Sequence, residues 1–304
     1  MNYQSILNSI EQEINIHDFE GKVANYIPEL AKVDRNKFGM HLHCINNGHY
    51  AFGDSNERFS IQSISKVLAL IMAFELERDA IWKRVDVEPS GDPFNSLVQL
   101  EYENGIPRNP LINAGALVIC DILVSHLKNP KADFLNFIRK ISNNPTINYD
   151  EKVAKSEKEW GFRNSALLHL MKSFGNIKND IETILDFYVY QCSLTMTCKE
   201  LSETFMLFAN KGRILGTNEQ IIPWNRIKRI NAIMMTCGFY DEAGEFSFRV
   251  GLPGKSGVGG GIVAIHPNYY SVAAWSPKLN PKGNSAIGMA ALELLTTKTE
   301  LSIF

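Results

Sequence analysis

Strand-like segments lie near both ends of this chain of 304 residues, and a long stretch with helical periodicity separates them. Residues 39–45 and 50–53 have strand patterns joined by Asn46, Asn47 and Gly48, and the Asn-Gly pair favours a hairpin turn. Further strand patterns follow at 248–252, 261–266 and 270–275. One sheet assembled from the two termini predicts an α+β fold and argues against an alternating βαβ fold.

The middle of the chain carries helical spacing of apolar residues. Residues 65–76 are strongly apolar, as in a buried helix. The other predicted internal helices cover 111–127, 132–142, 163–172, 180–190 and 197–211. Residues 3–33 also show three- and four-residue spacing and predict a helix, and a last helix is expected at about 284–295.

Charge and composition make two classes of partner improbable. Lys and Arg number 31 against 33 Asp and Glu, a formal net charge of −2, and no long basic run disturbs this balance. This argues against a nucleic acid or a membrane surface as the main partner. The longest apolar run, 67–74, is far shorter than the ~20 residues that cross a bilayer. We therefore expect a small-molecule partner.

The cysteines favour reduced thiols over a disulfide framework, because they are odd in number, scattered, and contain no Cys-x-x-Cys pair. They are Cys44, Cys120, Cys192, Cys198 and Cys237. Residues 1–16 lack the basic start and the continuous apolar stretch of a secretion signal. A cytoplasmic location is therefore expected.

Ser63 and Lys66 stand at i and i+3 where the pattern changes from strand to helix, so their side chains would share one helix face. A lysine amine can activate a serine hydroxyl only if burial or nearby charge lowers its pKa from about 10.4 towards 7. At a helix start the backbone N–H of Ser63 could also stabilise an oxyanion. A serine at this place is more often a helix cap, so the pair needs a second signal.

That second signal is the segment 254–261, which lies between two predicted strands. It is not a phosphate-binding P-loop, because Arg249 stands where that motif has its first glycine. A dinucleotide fingerprint starting at Gly257 fails as well, since its last position is Ile262. What remains, Lys255-Ser256-Gly257, is the analogue of the Lys-Thr-Gly that accompanies S-x-x-K in β-lactamases and penicillin-binding proteins. There an edge-strand N–H supplies a second oxyanion donor.

Long motifs in the same order are distributed over nearly the whole chain, from about Tyr26 to Gly288. They occupy 21–30, 59–66, 88–91, 94–96, 109–116, 237–241 and 255–260. In these motifs the chain resembles the bacterial glutaminase family. The resemblance implies a β-lactamase/penicillin-binding-protein-like fold and a serine-dependent amidohydrolase. Such an enzyme converts L-glutamine and water to L-glutamate and ammonia through a serine acyl-enzyme.

The resemblance also implies roles for single residues. Ser63 matches the nucleophile and Lys66 its base. Tyr240 matches the tyrosine that relays protons near the leaving amide, and Tyr26 another tyrosine of the pocket. Val258 matches the backbone N–H that completes the oxyanion site with Ser63. The residues that match the shell around the substrate's α-amino and α-carboxylate groups are Asn113, Glu157, Asn164 and Tyr188. Their types fit a zwitterion, because a carboxylate can accept from the ammonium while amides and hydroxyls donate to the carboxylate.

Two other functions stay open from the residues alone. One is a β-lactamase or peptidase-like acyl transferase, and the other is a non-catalytic module that binds glutamine or glutamate. No metal and no cofactor is expected, because the histidines show no metal-ligand spacing beyond His41-x-His43, which is typical of one face of a hairpin. The resemblance implies a homodimer or homotetramer.

The order of the motifs along the chain indicates a single catalytic unit. Ser63 lies in the first quarter of the chain and Lys255 in the last, so a site that contains both can form only if the two ends meet. We expect one catalytic unit over 1–304, with a sheet-containing lobe at about 1–60 and 220–304. A helical lobe at about 61–219 is inserted between its parts.

Overall fold

The computed structural model describes residues 1–91 and 97–304, so the motif residues 94–96 lie outside the described part. The helices within it are α1 (Tyr3–Glu13), α2 (Ser65–Glu77), α3 (Leu97–Tyr102), α4 (Asn113–His126), α5 (Pro130–Ile141), α6 (Glu151–Glu159), α7 (Phe162–Ser173), α8 (Ile181–Cys192), α9 (Cys198–Ala209), α10 (Trp224–Cys237), α11 (Ala243–Arg249) and α12 (Ala286–Thr299). The strands are β1 (Gly39–Cys44), β2 (His49–Gly53), β3 (Phe59–Ser60), β4 (Asn148–Tyr149), β5 (Leu194–Met196), β6 (Gly254–Ser256), β7 (Gly261–His266) and β8 (Tyr270–Trp275).

The larger sheet has the strand order β2-β1-β8-β7-β6, and every neighbouring pair is antiparallel. The N-terminal hairpin lies directly beside β8, where Gly39 pairs with Trp275 and Cys44 with Tyr270. Asn47 takes the positive φ of 65° that the hairpin turn requires. The predicted α+β fold, with a sheet assembled from both ends of the chain, is confirmed.

Helices cover both faces of this sheet. Side chains alternate along each strand, so successive residues enter different cores. Ile262 and Ala264 of β7 pack in the core that α1 and α12 complete, whereas Val263 and Ile265 belong to the core of the internal helices. Helix α9 contacts β1, β7 and β8, so an internal helix packs against the sheet. The two cores thereby share the sheet as a common layer.

A second, three-stranded sheet with the order β3-β5-β4 was not predicted from the sequence. Its strands are only two or three residues long, too short for an alternating pattern to be recognised. Phe59 pairs with Met196, and the N–H of Ile61 donates to the carbonyl of Leu194 at 2.9 Å. This small sheet fixes the chain immediately before Ser63.

Two secondary-structure predictions are wrong. The predicted helix over 3–33 ends at Glu13, because the chain beyond it forms short 3-10 turns and an isolated bridge between Lys22 and Leu279. The predicted strand at 248–252 is instead the end of α11 and the turn after it. Phe246 and Val250, four residues apart, are buried while Phe248 is 91% exposed, a helical rather than a strand spacing.

All five cysteines are buried free thiols. Across residues 1–91 and 97–304 no helix is long and apolar enough to cross a membrane. The same residues contain no group of three or more His, Cys, Asp or Glu side chains placed to hold a metal ion.

Candidate active site

A cavity of about 440 Å³ lies where the internal helices meet the edge strand β6 and the turn after α10. Every residue that the resemblance assigned to the site, except Lys66, lines it. The lining comprises Tyr26, Ile27, Gln62, Ser63, Asn113, Glu157, Trp160, Gly161, Phe162, Arg163, Asn164, Tyr188, Tyr240 and Val258. Residues from seven separate stretches of sequence thus converge on one small space.

Ser63 lies in the 3-10 turn Gln62–Ile64 that leads into α2, and it is 8% exposed. The preceding Gln62 has a positive φ of 49°, a conformation that costs a residue with a side chain about 1–3 kcal/mol. Side chains on both sides hold it there. The Ser65 hydroxyl donates to the Gln62 carbonyl at 2.7 Å, and the Gln62 amide donates to the Ser60 hydroxyl at 3.0 Å. The backbone that presents Ser63 is therefore strained and firmly held.

Lys66 lies in the first turn of α2, directly behind the cavity, and is 1% exposed. Its Nζ donates to Asn113 Oδ1 at 2.7 Å and to the Leu111 carbonyl at 3.3 Å. Burial lowers the pKa of Lys66 to about 8, even though nearby groups such as Cys192 and Glu157 raise it. With this pKa about a tenth of the amine is neutral at pH 7, so the side chain is available as a base.

Tyr240 lies on the opposite wall, in the turn that follows α10, and is 5% exposed. Burial raises the pKa of its hydroxyl, and the interaction with the Ser63 side chain lowers it by a smaller amount. The residue has a positive φ of 57°. Both ends of the turn are anchored, since Phe239 is fully buried and Glu242 accepts hydrogen bonds from Asn280 at 2.9 Å.

The glycine-rich loop after β6 comes unusually close to the segment before Ser63. A Cβ on Gly259 would lie 2.1 Å from the Ser60 carbonyl oxygen, so only glycine permits this approach. The backbone N–H groups of Ser63 and Val258 donate to no other group within residues 1–91 and 97–304. Both residues line the cavity, so two unpaired donors are available to an oxyanion.

The remaining polar residues come from α4, α6, α7 and α8. Burial raises the pKa of Glu157 to about 7, although interactions with Gln62, Lys66 and Cys192 lower it. Its Oε2 is buried without a partner among the described residues. The Asn113 amide, which also accepts from Lys66, donates to Asn164 Oδ1 at 3.0 Å. A buried carboxylate oxygen beside neutral donors suits a small molecule that carries an ammonium and a carboxylate.

Comparison with known proteins gives the family. A glutaminase family model matches residues 21–304. A glutaminase of Christiangramia forsetii is 64% identical over 304 residues, covering 100% of both chains. Among solved structures, the probable glutaminase YbaS has a TM-score of 0.94 and 31% identity over 99% of this chain and 97% of its own. Mglu in its glutamate form has a TM-score of 0.89 and 30% identity over 99% of this chain and 69% of its own.

The chain belongs to the glutaminase family. It is an amidohydrolase that hydrolyses the side-chain amide of L-glutamine to L-glutamate. The cavity is small, and its base, the part around Ser63 and Tyr240, is polar, as that substrate requires.

Sequence reasoning missed several residues of this site. Gln62 lies within the motif 59–66 but received no role, and Cys192, four residues after Tyr188, belongs to none of the motifs. Both interact with Glu157. Trp160 and Phe162 lie in the sequence between the predicted residues Glu157 and Asn164, and this nearness could have identified them. Lys255 was part of a recognised motif, but no task was assigned to its side chain.

Proposed function

We propose that glutamine hydrolysis proceeds through an ester on Ser63. The observation that carries this proposal is that Ser63 and Tyr240 line the same cavity and interact there, with Lys66 buried beside them. The Ser63 oxygen attacks the γ-carboxamide carbon while its proton passes to Tyr240 or Lys66. The backbone N–H groups of Ser63 and Val258 stabilise the oxyanion that forms.

Collapse of the tetrahedral intermediate breaks the carbon–nitrogen bond, and the leaving nitrogen takes a proton from Tyr240. Ammonia departs and leaves a γ-glutamyl ester on Ser63. A water molecule then attacks the ester carbon, gives its proton to the same pair, and releases L-glutamate with the Ser63 hydroxyl restored. Lys66 returns the proton that Tyr240 loses, and its lowered pKa keeps both protonation states accessible.

The amino-acid end of the substrate binds in the polar part of the cavity. The unpartnered Oε2 of Glu157 accepts from the α-ammonium, which gives this buried oxygen the donor it lacks. Asn164 and Tyr188 donate to the α-carboxylate, Asn113 holds either group, and Tyr26 closes the pocket wall. The similarity to Mglu, solved in its glutamate form, supports binding of glutamate at the corresponding place.

The finer architecture and setting are part of the same proposal. The sheet built from both termini, with Ser63 and Lys66 on a helix and Lys255-Ser256-Gly257 on an edge strand, supports a β-lactamase-like arrangement in one catalytic unit of 304 residues. Five buried free thiols are compatible with a reducing cytosol. Assembly as a homodimer or homotetramer is proposed from the family.

The test is ammonia release from L-glutamine by the purified chain and its Ser63→Ala variant. The variant should lose at least ~10³-fold in kcat/KM, because no other group can form the ester. Ser65→Ala removes the neighbouring hydroxyl and should lose far less. A Ser63→Ala variant with wild-type turnover would refute the nucleophile.

A further inference from the structure

Lys255 is the second fully buried lysine near the cavity, and its exposed fraction is 0%. It extends from β6, where its backbone pairs with Val263. Its Nζ donates to the Gly238 carbonyl at 2.9 Å and to the Ser256 carbonyl at 2.7 Å. The same Nζ lies 4.1 Å from the centroid of the Tyr240 ring. A buried amine usually needs partners of this kind. One of them, the Gly238 carbonyl, lies at the start of the turn that carries Tyr240, and the other belongs to Ser256 on β6 itself.

The Gly238 carbonyl is the attachment point of that turn. Besides Lys255 it accepts the backbone N–H of Ser256 at 3.3 Å. A Cβ on Gly238 would lie 1.8 Å from the Gly254 carbonyl oxygen, so the turn lies directly against the edge strand. Tyr240, two residues further on, has the unfavourable φ of 57°. A strained conformation persists only where its surroundings determine it, and the contacts of Lys255 are part of those surroundings.

The two buried lysines differ in what they can reach. Lys66 Nζ is 5.7 Å from the Tyr240 ring centroid and contacts Asn113, which lines the cavity. Lys255 does not line the cavity, and its two acceptors are both backbone carbonyls. It therefore acts on Tyr240 and not on the substrate.

We propose that Lys255 is a positioning residue that holds the Tyr240 ring against Ser63. It does so by donating a hydrogen bond to the Gly238 carbonyl and by packing its Nζ over the ring face. The proposal rests on the proposed function of Tyr240. The Lys255 side chain also links β6, the strand that precedes Val258, to the turn that carries Tyr240. One side chain thereby aligns the strand and the turn.

The variant Lys255→Met keeps the side-chain length and removes the N–H donors. Its kcat for glutamine should fall about 100-fold, while KM stays within about threefold because the groups that bind the amino acid are untouched. Lys255→Gln, which retains an N–H donor, should recover part of the loss. The control Lys278→Met removes a lysine that is 3% exposed and donates to the Ile16 and Phe19 carbonyls, and its kcat should stay within about threefold of wild type.

A double-mutant cycle with Tyr240→Phe decides whether Lys255 acts through the tyrosine. The double variant should be no slower than Tyr240→Phe alone. Losses that multiply, or a Lys255→Met kcat within about threefold of wild type, would overturn the inference. If Lys255→Met does not fold, as judged by circular dichroism and glutamate binding, the cycle is run with Lys255→Gln under the same criteria. Failure of the proposed function is distinct, because the wild-type chain would then show no Ser63-dependent hydrolysis.

Discussion

The base and the mouth of the cavity differ in burial and in chemistry. At the base, Ser63, Lys66 and Tyr240 are at most 8% exposed. At the mouth, Trp160 is 61% and Phe162 75% exposed. Burial at the base shifts the pKa of Lys66 and of Tyr240, whereas aromatic rings in solvent have nothing to titrate. The reaction therefore depends on groups kept from water, and the mouth controls little more than the entry of the substrate.

The two parts also differ in how the chain builds them. The base needs elements that are far apart in sequence, the turn before α2 and the β6 edge with the Tyr240 turn. The mouth residues Trp160 and Phe162 are close together in sequence, because Trp160 follows α6 directly and Phe162 begins α7. A substitution at the base can therefore misalign a partner from another part of the chain. A substitution at the mouth acts only locally.

The largest effect after loss of the nucleophile is expected at Lys66. Lys66→Met keeps the buried stem and removes the amine, so kcat should fall about 10³-fold with a much smaller change in KM. Pre-steady-state kinetics should show that formation of the acyl-enzyme is slowed. A variant that keeps more than a tenth of the wild-type kcat would show that Tyr240 alone suffices as the base.

The next largest effect is expected at Gly259, where the glycine-rich loop after β6 closely approaches the segment before Ser63. In Gly259→Ala the new Cβ would meet the Ser60 carbonyl oxygen at 2.1 Å, so the loop must move away from the Ser63 segment. The Val258 N–H then leaves the oxyanion, and kcat should fall about 10²-fold. Gly244→Ala is the control, because its Cβ meets nothing within 4 Å. Equal activities of the two variants would contradict a role for the loop position.

Much of this base could be predicted from sequence, because its motifs are local. Ser63 and Lys66 share one helical turn, and the periodicity around them was correct for α2. The wrong strand at 248–252 has a physical reason, since a short apolar run does not reveal its period until Phe248 is seen in solvent. Positive φ at Gln62 and Tyr240 and the task of Lys255 depend on contacts between distant segments, which no spacing within one segment can show.

The ionisation of Glu157 should make KM for glutamine depend on pH. Burial raises the pKa of this carboxyl to about 7, so it is mostly protonated below that pH and accepts an ammonium only after ionising. KM for glutamine should therefore fall as the pH rises through about 7. Glu157→Gln should raise KM about tenfold and make it independent of pH in this range, while the kcat profile set by Lys66 persists. If the variant kept the wild-type pH dependence of KM, another group would have to bind the α-ammonium of the substrate.

The smallest effect is expected at the mouth. Trp160→Ala and Phe162→Ala remove rings that contribute little burial, so the free energy of unfolding should change by no more than about 0.5 kcal/mol. Because both rings lie largely in solvent, kcat should stay within about threefold, and KM can shift by a similar factor through easier entry. Thermal unfolding and steady-state kinetics measure both. A tenfold loss of kcat in either variant would mean that the ring closes over the substrate and belongs with the base, so the division between the two parts would have to be redrawn.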